Sequence, residues 1–314
     1  MKIVDVAAIH FQVSELHDEG IREAMRQFRE ASERLDGTGV DLVVTCEGME
    51  SISQQVEEAE EPQRPGPLLT AYGDFARRNR CTVAGSVKLR VDGNVYNALC
   101  FIGPDGECLG HYAKSFLTPG EFQKGLHTGP GARVTETPAG RLGGVICYDL
   151  NFDALADEYR RLRPDVLCFS SMFHGDHLQN SWAYRARAFF VGAVKDGIST
   201  IIDPLGRRVA ESCYYNRIAR ARLNLDRFIM HQDRNMEKFP AIRAKYQKEV
   251  LIETNSLLGV SMLYSCSPER TAADIAREFG LVQPTPATAA YIDRMGTLAA
   301  FDRSRQIDAE LVAA

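Results

Sequence analysis

Short apolar runs joined by two kinds of connection constrain this chain more than any other feature. Some runs lead into amphipathic stretches long enough for a helix, and others meet across brief turns carrying Gly or Pro. A helical crossover lets consecutive strands lie parallel, whereas a tight turn makes them antiparallel. Both on one chain point to mixed sheets covered by helices rather than to a purely parallel barrel. Ile3–Ile9 reads as a buried strand, after which Ile21, Met25, Phe28 and Leu35 trace one helix face. Residues 40–45 form the next strand, and Leu68, Leu69, Tyr72, Phe75 and Ala76 the next helix. Thr82–Val91 and 95–101 flank Asp92-Gly93-Asn94, a hairpin signal. Further strands are expected at 108–112, 133–137, 142–147, 166–170, 198–203, 207–211 and 219–225, where the strand series closes. Helices are expected through Leu155, Tyr159 and Leu162, and near 181–190. Ser267-Pro268-Glu269 is a helix start, so 271–279 and 288–295 read as two helices. The expected division is a domain over 1–266 and a helical extension over 267–314.

Composition narrows the function classes. With 45% hydrophobic and 25% charged residues in 314, the chain has ordinary globular usage and enough length to bury a full core. Lys and Arg number 37 against 42 Asp and Glu, a formal charge of −5, which argues against a broad phosphate-tracking surface and a nucleic-acid partner. The apolar run at 6–9 is too short for a signal-peptide core, and no segment approaches the ~18 apolar residues of a membrane span. A cytoplasmic protein with no membrane partner is expected. Eight cysteines are dispersed without a Cys-x-x-Cys pair, and most lie in apolar runs, so reduced thiols are expected rather than a disulfide framework.

Three polar residues end apolar strands: Glu47 after Leu42-Val43-Val44, Lys114 after the run at 109–113, and Cys147 after Val145-Ile146. A strand end carries a side chain to the rim of a sheet with its backbone firmly held. Taken singly, each has a bland reading: an exposed Glu or Lys, or an inert core Cys. Their context changes this. Thr45-Cys46-Glu47-Gly48, Tyr112-Ala113-Lys114-Ser115-Phe116-Leu117-Thr118-Pro119-Gly120-Glu121 and Gly143-Gly144-Val145-Ile146-Cys147-Tyr148-Asp149 resemble the three motifs of the nitrilase superfamily of carbon–nitrogen hydrolases. The segment from Gly197 to Gly206 resembles a downstream strand and turn of the same family, and the likeness spans residues 2–226 in order and spacing.

The resemblance implies a four-layer α-β-β-α sandwich, two mixed sheets face to face with helices outside, and so an α+β fold. It implies a cysteine hydrolase of a non-peptide C–N bond in a small amide or carbamoyl compound, with water as co-substrate and no cofactor. A thiol must be activated to attack an amide carbon and form a thioester. A helix start beside Cys147 would favour the anion. Glu47 suits the proton transfers, Lys114 the charge facing the oxyanion, and the backbone N–H of Tyr148 a second donor. By resemblance Glu121 is a supporting carboxylate. Cys147-Tyr148-Asp149 resembles the amidase branches, whereas nitrilases usually carry Trp-Glu after the cysteine. Many relatives continue with Arg-Phe-Pro-Glu where Asn151-Phe152-Asp153-Ala154 stands here, and with Glu-Asn where Phe189-Phe190 stands. Nitrile hydrolysis, acyl transfer to an amine and a catalytically silent scaffold are the competing readings.

Beyond these motifs, Phe173 and His174 follow a strand whose end should face the same rim, so they are candidates for the substrate-pocket wall, against a plain capped loop. A metal at His174 and His177 lacks a third ligand in the sequence, and none is expected. The stretch at 217–222 reads as a solvated strand face and Trp182 as core or interface. Relatives imply a homo-oligomer, with a homodimer as base unit and Leu281, Tyr291, Met295 and Phe301 as apolar anchors. Finally, Val194-Lys195-Asp196-Gly197 is shorter than the corresponding loop of relatives. Either a deletion is closed by a tight hairpin or a loop is missing from the chain here, and the family likeness favours the second.

Overall fold

The computed structural model describes residues 1–11, 20–47 and 55–283. Ile3–Leu225 forms one compact unit. Its first sheet contains β1 (Ile3–Ile9), β2 (Leu42–Thr45), β3 (Thr82–Val91), β4 (Asn94–Ile102), β5 (Cys108–Ala113) and β12 (Ile218–Asn224), in the order β12-β1-β2-β3-β4-β5. The second contains β6 (Val134–Thr137), β7 (Gly140–Ile146), β8 (Val166–Ser171), β9 (Phe189–Val194), β10 (Thr200–Ile202) and β11 (Arg208–Glu211), in the order β11-β10-β9-β8-β7-β6. β1, β2 and β3 run parallel, as do β7, β8 and β9, and every other pairing in the two sheets is antiparallel. Read from β6 outward, the second sheet therefore repeats the directions of the first read from β12.

The two sheets pack face to face, β1 and β2 against β8 and β9, and β5 against β7. Helices Gly20–Glu33 and Pro67–Asn79 cover the first sheet, with Phe28 edge-on to Tyr72 at 5.1 Å and to Phe75 at 5.9 Å. Helices Asp153–Leu162 and His177–Ala186 cover the second. The result is the expected α-β-β-α sandwich. Strands covered on both faces lose the polar alternation of a half-exposed strand, and every residue of β2, β8 and β9 is buried. The Asp92-Gly93 hairpin is also present, with φ of 49° and 82°, both positive as its turn type requires.

β7 carries the candidate nucleophile, and its glycine pair is explained by what lies on either side. A Cβ on Gly143 would sit 2.6 Å from the Tyr159 ring, and one on Gly144 would sit 2.5 Å from Tyr112 Cβ. The pair thus lets β7 fit between a tyrosine of its covering helix and a tyrosine of the facing sheet. β6 pairs with β7 only as far as Gly143. Beyond that point the Tyr159 hydroxyl accepts the Gly144 N–H at 3.1 Å and donates to the Gly144 carbonyl.

One expectation is corrected in this unit. The helix read near 181–190 is His177–Ala186, ended by Arg187 at φ 56°, and Phe189 already opens β9. Phe189-Phe190-Val191 is apolar on both faces, a pattern that periodicity alone cannot divide between helix and strand. Across Val194–Gly197, β9 and β10 pair as a hairpin, as the tight-turn alternative requires. Asp196 adopts φ 51°, while the Lys195 and Asp196 N–H groups donate to the carbonyls of Ser171 and Phe11 at 2.8 and 3.0 Å. Trp182 is core, 1% exposed.

A second unit comprises Met1–Lys2 and the chain from Asp226. The strand series does not close at residue 225: β13 (Arg227–His231), β14 (Val250–Asn255) and β15 (Val260–Ser265) make an antiparallel sheet in the order β13-β15-β14. Helix Phe239–Tyr246 and the expected C-terminal helix, observed as Ala272–Glu278, share its core with Met230, Ile242, Leu263 and Ile275. That core spans the position at which the sequence reading divides the chain. Leu281, read as an interface anchor, belongs to the same core. Tyr291, Met295, Phe301 and the helix read at 288–295 lie outside the described residues. No helix among the described residues is long and apolar enough to cross a membrane.

Tyr159→Phe should strand a buried N–H and a buried carbonyl of β7 while keeping the ring. Loss of partners for such groups costs about 1–3 kcal/mol, and thermal unfolding should show a clearly lowered Tm with native circular dichroism before the transition. An unchanged Tm would contradict the role given to the hydroxyl.

Candidate active site

The sheets bring the ends of β2, β5 and β7 together. Lys114 directly follows β5 and is 1% exposed. Its backbone is fixed on both sides, since its N–H donates to the Asn97 carbonyl at 2.9 Å and its carbonyl accepts from Gly129 at 2.7 Å. An ammonium so buried needs counter-charges, and Nζ donates to Glu47 Oε1 at 3.1 Å and to both oxygens of Glu121 at 2.9 Å. Burial alone would lower the Lys114 pKa, but the charges of Glu47 and Glu121 outweigh it and raise it. The reciprocal balance holds at Glu121, where burial opposes ionisation and the Lys114 charge prevails, holding the carboxyl low.

Glu121 is aimed by a local motif. Thr118-Pro119-Gly120-Glu121 opens the short helix Pro119–Gln123 as a capping box with Pro at its start. Glu121 Oε2 accepts the Thr118 N–H at 2.8 Å, and the Glu121 N–H donates to Thr118 Oγ1 at 3.3 Å. Its Oε1 is left to Lys114 and to Asn97 Nδ2, the latter at 2.8 Å. The same Asn97 amide donates to Glu47 Oε1 at 2.9 Å, so it bridges the two carboxylates. Glu47 is 3% exposed, and its other oxygen accepts the Met172 N–H at 3.1 Å.

Cys147 ends β7 and begins a tight turn, Cys147–Asn151, with φ at 46°. A non-glycine residue in this region is strained and persists only where its surroundings determine it. The thiol feels the Glu47 carboxylate, the Lys114 ammonium and the Met172 N–H. Burial first, then the Glu47 charge, push the thiol up to about 12, against the opposing pull of Lys114. These surroundings favour the neutral thiol. This differs from the expectation that a helix start would favour the anion: the adjoining element is a tight turn, and desolvation dominates.

Glu47, Lys114 and Glu121 thus form one hydrogen-bonded cluster with Asn97, and Cys147 lies within its electrostatic reach. Tyr148 follows the cysteine, its ring 39% exposed and edge-on to Phe152, which stacks on Phe116 at 3.8 Å. Phe173 and His174 are placed differently from Met172. Phe173 is edge-on to Phe169 of β8, and His174 Nδ1 accepts the Asp176 N–H at 3.0 Å. The His174 carbonyl also accepts from the Gln179 amide of the helix His177–Ala186, whereas the backbone of Met172 reaches Glu47. His177 is exposed beside Asp176.

Three contributors escaped the sequence reading. Asn97 had a readable signal, a buried-strand pattern at 95–101 interrupted by one amide. Met172 contributes only its N–H, which no side-chain motif announces. Asp149, 0% exposed, was read as a mark of the amidase branches and given no role of its own.

A family model for carbon–nitrogen hydrolases matches residues 6–228. An omega-amidase of Arabidopsis thaliana chloroplasts is 27% identical over 238 residues, 66% of this chain and 64% of that protein, so the chain spans just under two thirds of that relative. A Homo sapiens omega-amidase is 25% identical over 266 residues, 76% of this chain and 91% of that protein. The crystal structure of Saccharomyces cerevisiae Nit3, a member of branch 10 of the nitrilase superfamily, superposes with a TM-score of 0.59 at 20% identity, covering 71% of this chain and 90% of that one. That of an amidase from Nesterenkonia sp. superposes at 0.58 and 17% identity, over 76% of this chain and 95% of that one. The chain belongs to the carbon–nitrogen hydrolase family of the nitrilase superfamily.

Proposed function

We propose that this protein is a cysteine amidase that hydrolyses a small amide or carbamoyl compound through a thioester on Cys147. The observation that supports the reading is that a cysteine, a buried carboxylate and a buried, shared ammonium lie at the ends of three neighbouring strands. In the first half-reaction Glu47 takes the thiol proton as sulfur bonds to the amide carbon. Lys114 and the Tyr148 backbone N–H stabilise the oxygen as it gains charge. Glu47 then passes its proton to the departing nitrogen as the C–N bond breaks, releasing ammonia or an amine. In the second half-reaction water attacks the thioester, Glu47 takes its proton, and that proton returns to sulfur as the acid leaves. Glu121 acts through Lys114, holding the ammonium and preventing Glu47 from monopolising it.

A high resting thiol pKa suits this cycle. The thiolate forms only as its proton moves to Glu47, so the net charge of the closed cluster is conserved during attack. The amidase assignment within the family rests on Cys147-Tyr148-Asp149 and on omega-amidases being among the relatives. Asn151, where many relatives carry Arg, keeps the proposal at the level of a small amide or carbamoyl substrate. Met172 places its N–H on Glu47 at the same rim, and Phe173 and His174, which follow it, are proposed as the wall of the substrate pocket. The assembly proposed is a homodimer or higher homo-oligomer in the cytoplasm.

An ammonia-release screen over small amides, carbamoyl compounds and nitriles should find turnover with members of the first two classes. Cys147→Ala should abolish it, and Glu47→Gln should lower it about 10²–10⁴-fold, the range of general acid–base catalysis. Full turnover by Cys147→Ala would sink the mechanism. Release from nitriles alone, or acyl transfer to an added amine in place of hydrolysis, would favour a competing reading.

The acidity of Cys147 makes a separate prediction. Iodoacetamide alkylation, followed by peptide mapping because Cys213 is exposed, should accelerate at Cys147 from about pH 7 to about pH 10 without levelling, since only thiolate reacts. Glu47→Gln removes a negative charge that raises the pKa and leaves Lys114 attracting the thiolate, so the midpoint should move down. A plateau below about pH 9 in the native protein would contradict the assigned electrostatics.

A further inference from the structure

The ends of β5 and β7 belong to different sheets, yet they carry Lys114 and Cys147 in one cluster. Besides Glu47, the buried carboxylate of Asp149 joins the backbone around them. Asp149 is 0% exposed. Its Oδ2 accepts the Ile146 N–H at 3.0 Å, one residue before Cys147, and the Tyr112 hydroxyl at 2.8 Å, two residues before Lys114. Its Oδ1 accepts the Phe116 N–H at 2.8 Å, two residues after Lys114. We infer that Asp149 is a positioning residue that fixes the nucleophile turn and the lysine loop against each other, and the inference rests on Cys147 being the nucleophile.

The geometry around the carboxylate explains why this position needs an acid. All three donors point at Asp149, so each needs a lone pair there, and both oxygens are used. Burial pushes its carboxyl up to about 7, and the three donors pull against that shift. The hydrogen-bond donors are all neutral, with the Lys114 charge acting from further away, and a buried carboxylate so held is costly as mere packing. What it secures is local. Cys147 is held at φ 46°, and such a residue needs support from both ends of its turn. Ile146 is held by Asp149 on one side, and the Leu150 carbonyl accepts the Trp182 indole N–H at 2.9 Å on the other. The Tyr112 hydroxyl extends the lysine side, lying 2.9 Å from Ser115 Oγ and accepting the Ser115 N–H at 3.3 Å. The segment 112–116 is thereby fixed at both edges of Lys114.

An amide at this position has only one acceptor oxygen and would turn its NH₂ group toward at least one donor. Asp149→Asn should therefore let the two loops slip while preserving volume. Tyr112→Phe removes one donor of the three and leaves the carboxylate. A displacement of about 1 Å in a reacting group costs up to about 10²-fold in rate. With the full-length protein and an amide from the screen, kcat should fall about 10–100-fold in Asp149→Asn and less in Tyr112→Phe, with KM changed by less than about 3-fold. The double variant should be no slower than Asp149→Asn, because both changes act through one contact. Native kcat in Tyr112→Phe would overturn the inference even if Asp149→Asn fails to fold. So would a double variant whose loss is the product of the single losses. Turnover surviving in Cys147→Ala would overturn the nucleophile reading, whereas loss there with native kcat in both other variants would overturn the positioning role alone.

Discussion

The ammonium of Lys114 governs this site because its burial is unsustainable without neighbours. Removing an ion of this kind from water costs several kcal/mol even after relaxation. Two carboxylates offset that cost, one at the end of β2 and one presented by a capping box, and the Asn97 amide keeps them from repelling each other into other conformations. Each carboxylate in turn depends on the lysine. The cluster is therefore all-or-none: removing one partner leaves a buried charge uncompensated, and the strand ends that carry the partners must arrive in register.

The sandwich delivers that register. Each sheet runs its central strands parallel, so β2, β7 and β8 end at defined places, and turns rather than long crossovers complete the edges. The packing of β7 between Tyr112 and Tyr159 requires glycine at 143 and 144, because a Cβ on either would collide with a ring. Fold and candidate site meet in this segment: the glycines that let the strand fit lie three and four residues before the strained cysteine. The backbone of Cys147 is held at a positive φ, and its surroundings favour the neutral thiol.

Glu47, Lys114, Glu121 and Cys147 were legible because each is a chemically distinctive side chain fixed at a strand end or cap, where local pattern and position coincide. Strands of the sandwich were legible from their apolar runs, and the Asp92-Gly93 hairpin from its turn chemistry. Less legible were features decided by tertiary contacts. Phe189–Val194 is apolar enough for either helix or strand, and its partners β8 and β10 decide the outcome. The β14 and β15 strands alternate weakly and flank a short turn, so they were passed over before the third sheet supplied their pairing. The thiol's acidity follows from desolvation, which depends on packing across two sheets and leaves no trace in the motif. Asn97 and Met172 act through groups whose importance appears only when Glu47 lies beside them.

The central claim is that carbon becomes bonded to Cys147 sulfur during turnover. It is tested most directly by mixing enzyme with a turned-over amide, quenching in acid during the steady state, and measuring the intact and peptide masses. The account predicts an added acyl mass confined to the peptide containing Cys147, released by hydroxylamine as a thioester and absent from Cys147→Ala. Acyl mass on another residue would contradict it, as would turnover with no covalent species at any quench time when deacylation has been slowed with a poorer acyl group.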